Sequence, residues 1–441
     1  MAGIIFPDHP IRRRTTASLD RRRLLMGSLA AAIAGGSLVG HRAGISAQTP
    51  DASPAATPAA TPIATTSSSA IADLLRVIPL DAAQQAAESG ILFYYADVAQ
   101  QLDAFGIDRA APRDADNLVD ATIALAVASQ AFQYALADGF EETFGFQPLS
   151  VGQTVYFGTP PHDASVFRGG IDIATVTAAL EASGYEHKTF RNGGEYWTLS
   201  EDGEVDLTSP VMRFGVGALN NAGFLDDDTV VFSRFASTVE GLVEHAQDGG
   251  KSLIDIAAIA ASIDTFPADI VSVIGVAEQY LAAANVLPAG LTPEQLETFT
   301  KDLQTSNETI GALPRITFGA FGVHAGATVE FSAAEAAPAD ATPEDDLTVI
   351  SEARFTTSSP EDAEQAAKVI AWRWEEVPSA MTAAPYSEIM TLVEAAPSPE
   401  NPSVVALGFG GDSASTAWIQ MVTTRDLLPF VQIGDTENAE G

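Results

Sequence analysis

Asn192-Gly193-Gly194, set between two strand-like runs, constrains this chain more than any other stretch. Asn-Gly supplies the positive φ angles of a two-residue hairpin turn, so Tyr185 to Arg191 and Glu195 to Ser200 are expected to pair as antiparallel neighbours. A slip of one residue would turn every side chain of the pair to the other side of the sheet. The residues before the hairpin read as strand, short loop and helix. Ser165 to Arg168 extend into Gly169-Gly170, and Asp172 stands where an N-cap belongs. Ile173, Val176 and Leu180 follow at helical spacing, and Gly184 closes the helix. A helix that feeds a hairpin buries its apolar stripe on that sheet, which places the chain among α+β folds with mixed or antiparallel sheets.

A similar order is read near the C-terminus. Thr348 to Phe355 is an expected strand, Ser359-Pro360 starts a helix that runs to about Glu376, and Val404 to Phe409 and Ala417 to Val422 are expected strands joined by Gly410 to Ser415. Upstream of each unit a strand feeds helices, at 91–105 and 229–246. Further strands are expected over Val151 to Phe157, Val211 to Val216, Ile316 to Phe321 and Ala327 to Phe331. Helices are expected from Asn117 to Ala137, Ser252 to Ile263, Ile270 to Ala284 and after Thr292-Pro293-Glu294-Gln295. Residues 333–346 read as an acidic surface loop. Two arrangements satisfy this order: two related α+β halves, 71–228 and 229–441, or one mixed sheet without internal symmetry.

The N-terminus carries a different signal. Asp20-Arg21-Arg22-Arg23-Leu24-Leu25-Met26 resembles the twin-arginine export motif, with Arg21, Arg22, Leu24 and Leu25 at its defining positions. A weakly apolar run, Leu24 to Val39, follows; it is shorter than the roughly 20 residues that span a membrane. Ile45-Ser46-Ala47 offers a cleavage site, so 1–47 reads as a signal peptide. The resemblance implies a bacterial protein working in the cell envelope or outside the cell, touching a membrane only through an uncleaved signal. Residues 48–70 repeat Ala, Thr, Pro and Ser and read as a disordered spacer.

Charge narrows the partners. The chain has a formal net charge of −36, and its first 70 residues hold seven arginines, no lysine and only three acids, so the remainder is more acidic still. Such a field repels nucleic acid and anionic lipid headgroups, leaving an envelope or extracellular ligand. The absence of cysteine removes disulfides, thiolate metal sites, iron–sulfur clusters and thiol nucleophiles. Gly184-Tyr185, the Gly193-Gly194 turn and the acidic turn at Gly203 are loosely similar to exported lipoprotein-like domains of unknown function from Gram-positive bacteria. That resemblance implies no activity and assigns no residue a role.

Motifs that would carry chemistry are incomplete. Gly410-Gly411-Asp412-Ser413 is reminiscent of Gly-Asp-Ser hydrolases, yet no histidine follows Ser413 to act as its base. Gly249-Gly250-Lys251-Ser252 ends like a phosphate loop, but His245 occupies the position of the first glycine and a helix, not a strand, precedes it. His162, His187, His245 and His324 show no paired spacing for a metal. Asp226-Asp227-Asp228 and Glu201 to Asp206 lack the alternating pattern of a calcium loop. No metal and no cofactor is therefore expected. Arg168, Tyr196 and Trp197 remain as a recognition surface, because strand neighbours face opposite ways and one of the two aromatics should point outward. These readings favour a non-enzymatic binding or interaction module; the alternative is an exported hydrolase whose active site only the fold assembles.

Overall fold

The computed structural model describes residues 67–82, 90–109, 134, 137–159, 162–191, 193–202, 204, 209–215, 217–281, 293–327, 349–380, 382–411 and 414–431. The chain divides into two units, 1–59 and 60–441, and every described residue lies in the second. The twin-arginine segment, the expected helix 117–137 apart from Tyr134 and Ala137, Asn192, Gly203, the loop 333–346 and Ser413 lie outside the described residues. The spacer expected to run to residue 70 ends earlier: Ser67–Leu75 form helix α1, and Ala70, Ile71 and Leu74 are buried.

Twelve strands form one antiparallel sheet with helices packed on it, an α+β fold. They are β1 (Ile91–Asp97), β2 (Gln153–Thr159), β3 (His162–Arg168), β4 (Glu186–Thr189), β5 (Glu195–Thr198), β6 (Asn221–Asp226), β7 (Thr229–Ser233), β8 (Ile270–Ala277), β9 (Phe318–His324), β10 (Ser351–Thr356), β11 (Thr391–Pro397) and β12 (Val404–Gly410). From edge to edge the order is β11-β12-β10-β9-β8-β1-β2-β3-β7-β6-β5-β4. The remaining helices among the described residues are α2 (Val98–Ala104), α3 (Phe140–Phe144), α4 (Ile173–Ala182), α5 (Ala236–Asp248), α6 (Ala257–Ile263), α7 (Pro293–Thr309), α8 (Pro360–Glu376) and α9 (Ala414–Thr424).

The strand order contains an internal repeat. Reading outward from the centre, β1-β2-β3-β7-β6 on one side matches β8-β9-β10-β12-β11 on the other, and helix α4 follows β3 as α8 follows β10. The two series meet in the antiparallel pair β1–β8, with Tyr94 opposite Ile274, so an approximate twofold passes through the middle of the sheet. The first series carries an addition, the β4–β5 hairpin on the outer edge of β6. The helices after β7 and β12 break the correspondence, since α5 and α9 lie on opposite faces. A division at 228/229 would fall within the turn of the β6–β7 hairpin, whose ladder runs from Asn221–Ser233 to Asp226–Thr229; the repeat itself restarts at β8.

Register partners share a face, which assigns each layer. On one face Phe93, Tyr95, Val155, Phe157, Val166 and Val231 pack with α1, α5 and α6. On the other, Phe140, Phe144, Phe146, Phe167 and Phe232 form one aromatic cluster, and Trp374, Trp418, Phe321, Phe409 and Phe430 form a second. Stability without disulfides comes from this burial on both sides of the sheet.

Four local expectations are corrected. Ile270–Ala277 is a strand, not a helix; all eight residues are buried, so the period-two alternation that marks a half-exposed strand is absent. Ala417 to Val422 belong to α9, with Trp418, Met421 and Val422 buried at helical spacing. Pro210–Phe214 make a 3₁₀ turn where a strand was expected, capped by the Ser209 hydroxyl. The hairpin loop is longer than a two-residue turn: the ladder ends at Thr189–Glu195, Phe190 N–H donates to Gly194 O at 2.7 Å, and Gly193 N–H donates to Phe190 O at 3.0 Å. Gly193 at φ +91° is the left-handed residue of a three-residue connection, a position glycine fills without strain. The Asp172 cap is present as expected, accepting from Ala174 N–H at 3.2 Å.

Candidate functional site

The residues expected to form a recognition surface are placed apart. Arg168 ends β3 and donates to the Thr229 hydroxyl at 3.3 Å. Tyr196 lies three strands away on β5 and stacks on Phe190, centroids 4.1 Å apart and planes 7° from parallel. Trp197 faces the other side, buried between His187 and Phe224. Tyr196 is half-buried under Phe190, and Trp197 is buried beneath His187. The histidines are also dispersed: His162 stacks on Phe235, and His245 Nε2 meets Arg76 O at 2.9 Å. Among the described residues no group of three or more histidine, aspartate or glutamate side chains is placed to hold a metal ion. The acidic turns serve the fold: Asp202 accepts from Ala236 N–H at 2.8 Å, capping α5 from 34 residues away.

Two polar clusters are assembled by the sheet instead. The first lies where loop 264–269 crosses the end of β9 and β10. His324 Nδ1 donates to Asp269 Oδ2 at 2.8 Å and Nε2 donates to Glu352 Oε1 at 3.1 Å. Glu352 also receives the guanidinium of Arg354, which donates to Thr265 O at 3.2 Å and lies over Phe266. Carboxylates that are ionised only accept hydrogen bonds, so a ring that serves both of them donates from both nitrogens, which is the imidazolium form. Burial pushes its pKa down, but the hydrogen bonds and charges of Glu352 and Asp269 outweigh burial and hold it above the ordinary histidine value. Two positive and two negative groups balance. With both nitrogens engaged, His324 offers no lone pair to a substrate or metal, and the cluster acts as a structural clasp.

The second cluster sits on the opposite face, in the row Phe321–Ile274–Tyr94–Tyr156–Ser165–Phe232 that register carries from β9 to β7. Tyr94 and Tyr156 occupy the gap between the two aromatic clusters, their rings 6.0 Å apart. Tyr156 donates its hydroxyl to Asp163 Oδ2 at 3.1 Å. Asp163 is only 7% exposed, and its Oδ1 is buried without a hydrogen-bond partner. Burial raises the Asp163 pKa, against the Tyr156 hydrogen bond and the charges of Arg234 and His162. Burial likewise raises Tyr94 and Tyr156, and takes Tyr134 to about 12, so all three stay neutral phenols at neutral pH. A buried carboxyl oxygen lacking a partner is costly, and a cationic group brought within reach of it would offset that cost.

Sequence reasoning placed Tyr94 within the strand expected at the start of 91–105 and passed over Asp163. No short-range pattern links the two, since β1, β2 and β3 come together only in the sheet. No family model matches this chain, and no curated protein or solved structure is similar to it.

Proposed function

We propose that this is an exported, non-enzymatic binding module of the bacterial cell envelope or exterior, and that it holds a small organic cation at Tyr94, Tyr156 and Asp163. The observation that carries the ligand class is the buried, unpartnered Oδ1 of Asp163, whose other oxygen accepts from the Tyr156 hydroxyl. The net charge of −36 supports it by concentrating cations around the protein. Export rests on the twin-arginine resemblance of Arg21, Arg22, Leu24 and Leu25. Replacing Arg21 and Arg22 together with lysine is expected to leave the precursor in the cytoplasm, measured by fractionation; continued export would remove this part of the reading.

Calorimetric titration tests the ligand. n-Butylammonium is expected to bind while n-butanol, equal in shape but uncharged, does not. Asp163→Asn keeps an acceptor for the Tyr156 hydroxyl and removes the charge, so it should weaken binding by on the order of tenfold or more, as for a hydrogen bond to a charged group. Equal binding to the variant would exclude the site. One observation favours the hydrolase alternative: a buried carboxyl with a raised pKa that accepts from a tyrosine has the form of a general acid. Turnover of a chromogenic ester or glycoside by the wild type, lost in Asp163→Asn, would establish that alternative.

A further inference from the structure

The internal repeat makes β6 and β11 equivalent strands, and the two differ in one respect. The outer edge of β6 is paired: Asn221, Ala222 and Gly223 face Thr198, Trp197 and Tyr196 of β5. The outer edge of β11 is the end of the sheet. Its inner edge pairs with β12 from Thr391–Gly410 to Pro397–Val405, and no further backbone bonds are made by Thr391 to Pro397 among the described residues. The opposite end of the sheet, β4, is closed to addition in the usual way, being four residues long and carrying Glu186 and Lys188 in ion pairs. By contrast, β11 has seven residues, and Val393 on it is the large hydrophobic side chain left exposed among the described residues, at 43%.

We infer that the free edge of β11 accepts an extended segment of a partner protein as a thirteenth strand, and that this segment carries basic and apolar side chains. Strand addition satisfies the orphan N–H and C=O groups of an edge and reads the alternate side chains. The β-bulge between Leu392 and Glu394 does not close the edge, since β6 carries a bulge between Phe224 and Asp226 and still accepts β5. Pro397 withholds a donor only at the strand's end. Charge selects the occupant. A second copy of this chain would bring another −36 against the exposed Glu394, whereas a lysine-bearing segment is attracted to it. The apolar contacts would be made by Val393 and the half-buried Leu392.

The exported chain and the peptide acetyl-Lys-Val-Thr-Val-Lys-Val-amide provide the test. The peptide is expected to bind saturably, to weaken with salt, and to slow hydrogen exchange at Thr391 to Ala396 selectively. The same peptide N-methylated at alternate residues keeps its charge but cannot pair, and is expected to lose at least tenfold in affinity. Val393→Lys with Glu394→Lys, both exposed, should lose a similar factor at an unchanged denaturation midpoint. Binding that tolerates N-methylation, or protection elsewhere than β11, would overturn the inference. So would self-association through β11 without peptide binding, which would make a second copy the occupant.

Discussion

Glu352→Ala is expected to destabilise the folded protein by about 3–5 kcal/mol, the cost of removing one partner from a buried ion pair. Glu352, Arg354 and His324 side chains are 11%, 8% and 15% exposed, so solvent screens them little. Without Glu352, the guanidinium of Arg354 and the Nε2–H of His324 remain in place with no anion between them. The loss would appear as a lowered urea midpoint at unchanged slope. The wild type should also show a signature in pH. The folded His324 pKa lies above its unfolded value of roughly 6.5. Its contribution is therefore complete below about pH 6.5 and is lost as pH rises through the folded pKa. In Glu352→Ala the histidine has one acceptor fewer, so stability should fall less steeply over that range. An equal fall in both proteins would mean that Glu352 does not raise the His324 pKa.

Trp374→Ala is expected to cost a similar amount, about 3–5 kcal/mol, for a different reason. Trp374 is fully buried on α8, donates to Met390 O at 2.9 Å and touches Phe409, Tyr386, Trp418 and Phe430. These neighbours come from β12, α9, the turn before β11 and the turn after α9, so they cannot collapse together into the space it leaves. Its neighbour Arg373 is also buried, and its guanidinium joins Ser306 and Asn307 of α7 to the carbonyl oxygens of Pro429 and Val431. Burial lowers the Arg373 pKa to about 10, with no carboxylate among the described residues to offset it. Thermal unfolding should lose the second aromatic cluster cooperatively with the sheet. A change under about 1 kcal/mol would show that this cluster does not hold α8 to β11 and β12. The effect should not depend on pH between 5 and 8, which separates it from that of Glu352→Ala.

Local signals in the sequence were sufficient wherever a few adjacent residues decide a conformation. Asp172 and Ser359 mark helix starts because a short oxygen-bearing side chain reaches an amide two or three residues on. Strands β3, β5, β7 and β10 are legible from runs of β-branched and aromatic residues, and the class, helices on an antiparallel sheet, follows from their order. Uniform burial hid β8, because a strand covered on both faces has no alternation to read. The α9 segment was misread because Trp418, Met421 and Val422 also suit a strand.

What only the tertiary structure decided is which strands are neighbours. Pairing β1 with β8 joins residues about 180 apart, and nothing in either run encodes its partner. That pairing makes one sheet of twelve strands and creates its internal repeat, hence the difference between the covered edge of β6 and the open edge of β11. It also builds both polar clusters. Asp269, His324, Glu352 and Arg354 come from one loop and two strands, and Tyr94, Tyr156 and Asp163 from three strands. Arg168, Tyr196 and Trp197 seemed related in the sequence, but β7 and β6 are inserted between their strands and separate them. Side-chain chemistry was visible in the chain from the start; the distances that turn it into an ion-pair clasp or a buried tyrosine–aspartate cluster exist only after long-range strand pairing has set the register.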